Sequence, residues 1–234
     1  ELICQKLLEC ISNNMTLKDI SATLNLSLKQ VYNRIIAMQD RGYILKKNID
    51  DNGNLIFLKA CGKVAEEHIR VRIHENSTFK AALISDIHIG NLKQNFNYLN
   101  IVYDYCVQNN IHTIINTGDV VDGHNTKSKQ LIEDPFKQIE TLIKNHPYDE
   151  NILNIICLGD HDSRMDQYGI DVKKMIEHAR YDLIPLDYGR GIINIGNEKI
   201  GLKHRIENKN YSDFKAMKLI LSGHSHKLAF AFEN

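Results

Sequence analysis

The sequence lacks the features that mark several classes of protein. Its 234 residues include only three prolines and thirteen glycines, which excludes collagen-like and low-complexity chains. No apolar run approaches the roughly 18 residues that a membrane-spanning helix needs, so no membrane span is expected. The five cysteines form no Cys-x-x-Cys pair and leave one unpaired, which favours a reduced, cytoplasmic protein over a disulfide-stabilised secreted one.

An excess of charge of either sign is also missing. The 29 Lys and Arg residues balance 29 Asp and Glu residues, which argues against a generic polyanion binder but leaves room for a local basic face. At about 150 residues per domain, the length predicts either one large domain with a smaller partner or one medium domain alone. The unusual count is eleven histidines, so their positions carry more information than the composition.

The first third of the chain predicts three helices and a hairpin. Helical periodicity covers residues 3–12, begins again after Thr16 as an N-cap, and recurs from Leu28 until it ends at Gly42. Two strands then flank the turn at 51–53. This order resembles the winged helix-turn-helix, and residues 20–44 carry the resemblance. We therefore expect a small winged helix-turn-helix domain at 1–62 and a linker at 63–78, within which Ile69, Val71 and Ile73 alternate as in a short strand.

The winged-helix resemblance implies contacts with nucleic acid, DNA being the expected partner. In such domains the third helix enters the major groove, and the hairpin touches the phosphate backbone. The residues expected to make these contacts are Lys29, Gln30, Asn33, Arg34, Lys46 and Lys47. The alternative is a domain that contacts other proteins, in which these side chains form an ordinary solvated surface.

Residues 79–234 repeat one pattern, in which a buried strand stops and a loop with Asp or His follows. Strands that alternate with helices indicate an α/β domain, and such domains gather their chemistry in the loops at strand ends. Carboxylate and imidazole ligands together suit Mn, Fe, Zn or Ni. Five strand ends supply Asp86, His88, Asp119, Asp160, His161, His204, His224 and His226. Histidines outside these loops are interpreted as ordinary surface or core residues, and His124 is the only one of them near a motif.

In this order the motifs resemble those of the calcineurin-like metallophosphoesterases. The resemblance implies a two-sheet αββα sandwich with two divalent metal ions, Mn being expected first and Fe, Zn or Ni as alternatives. It implies that Asp86, His88 and His226 bind the first metal. It implies that Asp119 bridges the metals, and that His204 and His224 bind the second metal together with residue 160. The family domain usually continues beyond a position such as His226, so we expect residues 79–234 to be incomplete at the C-terminus.

The same resemblance implies hydrolysis of a phosphate ester by a hydroxide that bridges the metals. His161 would protonate the leaving group, Asp162 would hold the His161 ring in one tautomer, and Asp122 would support the site from behind the ligands. One position departs from the family pattern, because Asp160 replaces the usual asparagine. An aspartate can ligate a metal, but it cannot donate to a phosphate, and its charge opposes one.

Two features favour a phosphodiesterase that acts on DNA, that is, a nuclease. One is the predicted winged helix, and the other is residues 85–90, which resemble the first motif of nuclease branches of the family. The alternatives are a phosphatase of phosphoproteins or small phosphates, and a DNA-binding regulator whose phosphoesterase site is impaired by Asp160. The sequence leaves the oligomeric state open.

Overall fold

The computed structural model describes residues 2–62, 68–73, 78–124, 129–206 and 216–227. The helices are α1 (Leu2–Ser12), α2 (Leu17–Leu24), α3 (Leu28–Asp40), α4 (Phe96–Gln108), α5 (Pro135–Asn145), α6 (Asp160–Ser163) and α7 (Val172–Ala179), with a 3₁₀ helix at Arg164–Tyr168. The strands are β1 (Leu45–Ile49), β2 (Leu55–Lys59), β3 (His68–Val71), β4 (Ala82–Ile84), β5 (Thr113–Asn116), β6 (Leu153–Leu158), β7 (Leu183–Tyr188), β8 (Arg190–Ile195), β9 (Glu198–Lys203) and β10 (Leu219–Ser222). The sequence also predicts a strand at 228–232, and this segment lies outside the described residues.

Local sequence signals determine where the N-terminal helices begin. The Thr16 hydroxyl accepts the backbone N–H of Asp19 at 3.1 Å, and the Asp19 carboxylate accepts the backbone N–H of Thr16 at 3.1 Å. Ser27 and Gln30 form the same reciprocal pair at the start of α3. Each pair satisfies donors that a helix end would otherwise leave without partners. The helices and the hairpin thus lie where the periodicity placed them.

The strands form two sheets, one of which is wholly parallel. The four-stranded parallel sheet has the order β4-β5-β6-β7, and the six-stranded mixed sheet has the order β10-β9-β8-β3-β1-β2. Side chains from both sheets, including Ile155 and Leu202, share one hydrophobic cluster, so the sheets pack against each other. A second cluster packs α5 and α7 against the four-stranded sheet through Ile139, Ile176 and Ile156. The fold is therefore mixed α/β with two sheets.

The N-terminal hairpin is part of the larger sheet. The expected strand around Ile69 is confirmed as β3, which pairs in parallel with β1 on one side and with β8 on the other. Leu7 and Ile35 from the N-terminal helices belong to the same buried cluster as Leu202. The sheet and its core therefore include elements on both sides of the linker predicted at 63–78, and the division into two domains stays a prediction.

Lys47 corrects one expectation about nucleic-acid contacts. Its ammonium lies 2.7 Å from Glu177 Oε1, and its side chain is 14% exposed. It also takes part in a hydrogen bond with Tyr32. The hairpin turns this lysine inward, towards α7, so the prediction that Lys47 contacts phosphate is wrong.

A buried histidine makes the stability of the fold sensitive to acid. His146 caps the C-terminus of α5 and is 2% exposed, and its Nδ1 lies 3.1 Å from the carbonyl oxygen of Pro147. Burial lowers the pKa of His146 to about 4. The unfolded chain, with a pKa of about 6.5 at this residue, binds the proton more readily, so this contribution to stability is lost as pH falls from about 6.5 towards 4.

We expect His146→Gln to remove this pH dependence. Between pH 7 and pH 5, the free energy of unfolding of the parent should fall by about 2 kcal/mol relative to that of the variant. Urea unfolding of both proteins at the two pH values measures the difference, and contributions from other titrating groups cancel. A difference that stays constant with pH would show that His146 accepts a proton inside the folded protein.

Candidate metal centre

The predicted ligands lie in loops that begin where strands end. Asp86 and His88 follow β4, and Asp119 follows β5 on the neighbouring parallel strand. The loops are joined by backbone hydrogen bonds, from Asp86 N–H to the Gly118 carbonyl at 2.9 Å and from His88 N–H to the Asp119 carbonyl at 2.9 Å. From the six-stranded sheet, the His224 N–H donates to the Asp86 carboxylate at 3.1 Å. The ends of both sheets therefore meet at one place.

The backbone at this place is held in an unusual conformation. Among the described residues, eight that are not glycine have positive φ, and three of these are asparagines that follow helices. The other five are Asp86, His88, Asp119, His224 and His226. A left-handed backbone is costly for residues with a side chain, and clusters of such residues mark functional sites. Here the conformation lets Asp86 and His88, which lie on one short loop, face the same point.

Two glycines allow the loops to approach one another. A Cβ at Gly118 would lie 2.5 Å from Nδ1 of His204, and a Cβ at Gly159 would lie 2.2 Å from Oδ1 of Asp119. Neither distance is possible for a real side chain. Any larger residue at these positions would move His204 or Asp119 and so disturb the site.

Asp86, His88 and His226 form the first group of candidate ligands. His226 Nε2 lies 3.4 Å from Asp86 Oδ1 and 3.3 Å from His88 Nε2. Burial lowers the pKa of His88, which favours the neutral imidazole that a metal requires. One carboxylate and two imidazole nitrogens thus converge on one point.

Asp119, His204 and His224 form the second group. Asp119 Oδ2 lies 3.0 Å from His204 Nε2 and 3.7 Å from His88 Nε2 in the first group. A single carboxylate oxygen therefore stands between the two groups, where a ligand shared by two ions would stand. Although burial raises the pKa of Asp119, hydrogen bonds from His204 and from the backbone of His161 lower it below its ordinary value.

His204 shows how well the second group suits a metal ion. It is fully buried, and its Nδ1 lies 2.8 Å from the Thr117 carbonyl, which fixes the proton on Nδ1. Its Nε2 is buried and lies 3.0 Å from Asp119 Oδ2. Burial alone would lower the pKa of His204, but Asp119 raises it to about 9. A divalent cation would bind the lone pair of Nε2 in place of the proton that Asp119 stabilises there. The residues present therefore fit the metal ions that the sequence predicts.

Asp122 connects the first group to His161. Its Oδ1 lies 3.3 Å from His88 Nδ1 and accepts the side-chain amide of Asn91 at 3.0 Å. Its Oδ2 accepts the side-chain amide of Gln130 at 2.5 Å. The structure thus places Asp122 behind His88, as expected. It adds Asn91 and Gln130 as hydrogen-bond partners of Asp122, and neither was predicted from the sequence.

The expected contact between Asp162 and the His161 ring is not made. The His161 Nδ1 instead lies 2.6 Å from the backbone carbonyl of Asp122. The Asp162 carboxylate accepts the backbone N–H groups of Gly159 at 2.7 Å, Val121 at 3.0 Å and Val120 at 3.3 Å. Asp162 therefore holds two loops together, while a carbonyl oxygen orients His161. Burial raises the pKa of Asp162 to about 6, despite these three donors.

Asp160 lies beside the second group and has a cationic neighbour. Its Oδ2 is 3.8 Å from His224 Nδ1 and 3.7 Å from Nη1 of Arg205. Arg205 directly follows the candidate ligand His204 and was not among the predicted site residues. Its guanidinium partly balances the charge that an aspartate introduces where the family has an asparagine.

The other predicted nucleic-acid contacts lie far along the chain from these loops. Lys29, Gln30 and Asn33 are exposed on α3. Arg34 and Lys46 are half-buried, and the Arg34 guanidinium donates to the Gln30 carbonyl of its own helix at 3.2 Å. Their role in binding nucleic acid stays a prediction.

Comparison with known proteins identifies the family of the chain. No curated protein and no solved structure matches it. The model of the calcineurin-like phosphoesterase family matches residues 79–228, which is more than half of the chain and includes every candidate ligand described above. No helix in the described part of the chain is long and apolar enough to cross a membrane. The chain therefore belongs to the calcineurin-like phosphoesterases, which are metal-dependent hydrolases of phosphoesters.

Proposed function

We propose that this phosphoesterase cleaves phosphodiester bonds of nucleic acid, DNA first, with two divalent metal ions, Mn²⁺ first. The observation that carries the proposal is the position of Asp119 Oδ2 between two groups of candidate ligands. When bound, two such ions supply a water of lowered pKa and neutralise the phosphate oxygens of the substrate. The five cysteines are all free thiols, which agrees with a reducing, cytoplasmic setting for this activity.

His161 is the proton donor in this proposal. Its Nδ1 faces the Asp122 carbonyl, so Nε2 is the nitrogen that can pass a proton to the leaving oxygen. Its backbone N–H donates to Asp119 Oδ1 at 2.8 Å, which fixes the start of α6 to the second ligand group. The loop that orients the acid is thus joined to the ligands that would hold the phosphate.

Nucleic acid is proposed as the substrate because of the N-terminal helices and hairpin. We assign them to the winged helix-turn-helix class, and Lys29, Gln30 and Asn33 give α3 an exposed polar face near its start. Because the hairpin extends the sheet that carries His204, this face and the metal centre are fixed to one framework.

Asp160 favours a second candidate function. Its carboxylate lies at the second ligand group and would oppose an incoming phosphate, as expected of a DNA-binding regulator with an impaired phosphoesterase site. A phosphatase that acts on phosphoproteins or small phosphates is the remaining alternative. The experiment below separates the three.

We expect the parent to hydrolyse bis(p-nitrophenyl) phosphate and an oligonucleotide in Mn²⁺, and EDTA to abolish both activities. Asp86→Ala should behave like the EDTA-treated parent, because it removes the carboxylate from the first group. Asp104→Ala, an exposed carboxylate on α4, is the matched control and should retain the parent rates. Activity is followed by p-nitrophenolate release and by gel electrophoresis.

Asp160→Asn completes the experiment. A silent parent that this variant activates would favour the regulator. Hydrolysis of monoesters such as p-nitrophenyl phosphate, without hydrolysis of either diester, would favour the phosphatase. A parent that binds Mn²⁺ but cleaves no phosphoester, with or without this substitution, would refute the proposed activity.

A further inference from the structure

The segment 122–124 lies along the segment 161–168 beside the proton donor. The Asp122 carbonyl contacts His161 Nδ1, and a Cβ at Gly123 would lie 3.7 Å from the Cβ of Arg164. The rings of His124 and Tyr168 meet with their centroids 5.2 Å apart and an interplanar angle of 64°. We call His124, Arg164 and Tyr168 the leaving-group ridge, because His161 acts on the leaving oxygen.

Arg164 lies against the ring of His161. Its Nη1 is 3.3 Å from His161 Nε2 and 3.4 Å from Nδ1. Within the described residues no carboxylate forms an ion pair with this guanidinium. Arg164 is exposed, so its guanidinium provides a position for a negatively charged group next to the acid.

The aromatic pair gives the ridge a second kind of contact. Tyr168 is 43% exposed although its ring packs against His124. Exposed aromatic rings can stack on nucleobases of any sequence. The ridge thus offers one site for an anion and one for a flat ring, which are the two parts of a nucleotide.

We propose that the leaving-group ridge binds the nucleotide that departs from the cleaved bond. Arg164 binds its further phosphate, and Tyr168 with His124 stacks on its base. This inference rests on the proposed function and makes it more specific. The favoured substrates are nucleic-acid diesters whose leaving group carries another phosphate, rather than aryl esters or phosphoproteins.

Two diesters test the inference by kinetics. One is a thymidine dinucleotide phosphorylated at both ends, and the other is bis(p-nitrophenyl) phosphate, whose leaving group has no anion. We expect Arg164→Gln to lower kcat/KM for the dinucleotide about tenfold or more, mainly through KM, as for the loss of a hydrogen bond to a charged group. The aryl diester should change less than about twofold, since it makes no such bond. Tyr168→Ala should lower kcat/KM for the dinucleotide at least about fivefold.

Arg72→Gln is the matched control. Arg72 is exposed directly after β3, and β3 runs parallel to β8 and so opposite to β9. Since His204 follows β9, Arg72 lies at the other end of the sheet from the metal centre. The same loss of charge there should leave both substrates unaffected.

A binding measurement provides a readout that does not depend on turnover. Thymidine 3′,5′-bisphosphate is titrated calorimetrically into the protein in EDTA. Arg164→Gln should weaken binding about tenfold or more, and Arg164→Lys should recover part of it. Thymidine without phosphate should bind weakly and respond to Tyr168→Ala alone.

The outcomes are distinct from those of the proposed function. An equal loss of kcat/KM on both diesters in Arg164→Gln would mean that Arg164 acts only through His161. An affinity for the bisphosphate that is unchanged in Arg164→Gln and Tyr168→Ala would mean that no nucleotide site exists. Either result overturns the inference while hydrolysis of the aryl diester still supports the proposed function. If the parent cleaves neither diester, the proposed function fails. The binding titration alone then shows whether the leaving-group ridge binds a nucleotide.

Discussion

Asp119→Asn is expected to lower kcat/KM for any phosphodiester by at least about 10³-fold. A metal ion contributes several kcal/mol of transition-state stabilisation, and Asp119 Oδ2 lies near imidazole nitrogens of both ligand groups. Asparagine keeps the shape of the side chain and an oxygen for the His161 N–H. It removes the charge that two neighbouring cations would require.

Metal analysis checks the physical reason for this loss. The variant should hold at most one Mn²⁺ after gel filtration, whereas the parent should hold two. Asp104→Asn makes the same chemical change on the exposed surface of α4 and should alter neither quantity. If Asp119→Asn kept two ions and a rate within about tenfold of the parent, Asp119 would not be the shared ligand.

His161→Ala is expected to lower kcat by about 10²- to 10⁴-fold on substrates with a poor leaving group, such as an oligonucleotide. The loss should be small on bis(p-nitrophenyl) phosphate, because p-nitrophenolate departs without a proton. The backbone N–H that contacts Asp119 is retained in the variant, so the ligand groups should keep their geometry. The measurement is kcat for both substrates in the same Mn²⁺ buffer, with metal content as the check on the site.

A uniform loss on both substrates would contradict the role of general acid. It would assign His161 to binding the phosphate, which both substrates share. His178→Ala, a substitution at an exposed histidine on α7, is the matched control and should retain both rates.

The candidate ligands were predictable because each follows a strand that the sequence marks clearly. Apolar runs such as residues 152–158 predict buried strands, and parallel strands of one sheet bring their ends together.

The hydrogen-bond partner of a side chain is harder to predict. Asp162 follows His161 directly, yet α6 begins at this point and turns the Asp162 carboxylate towards backbone donors. Arg164 and Arg205 were missed because one arginine in a polar loop carries no periodic signal.

Contacts between distant segments could not be predicted from the sequence either. Strand β7 was not predicted, since Pro185 interrupts its apolar run, and proline is tolerated there because β7 is an edge strand. Lys47 looked like a surface residue of a hairpin because its partner Glu177 is 130 residues away. The periodicity of a hairpin shows that alternate residues face inward, but it does not show what they meet.

The continuous six-stranded sheet also governs the order in which the molecule can assemble. His68 of β3 pairs with Ile192 of β8, so a ribosome must add more than a hundred residues after β3 before its partner exists. Throughout that interval β3 presents an open edge, a structure that is liable to misassociate. Completion of β8 and β9 covers the edge of β3 and, in the same step, brings His204 to the metal centre. Acquisition of a competent site is therefore a late event in folding, coupled to burial of the N-terminal hairpin.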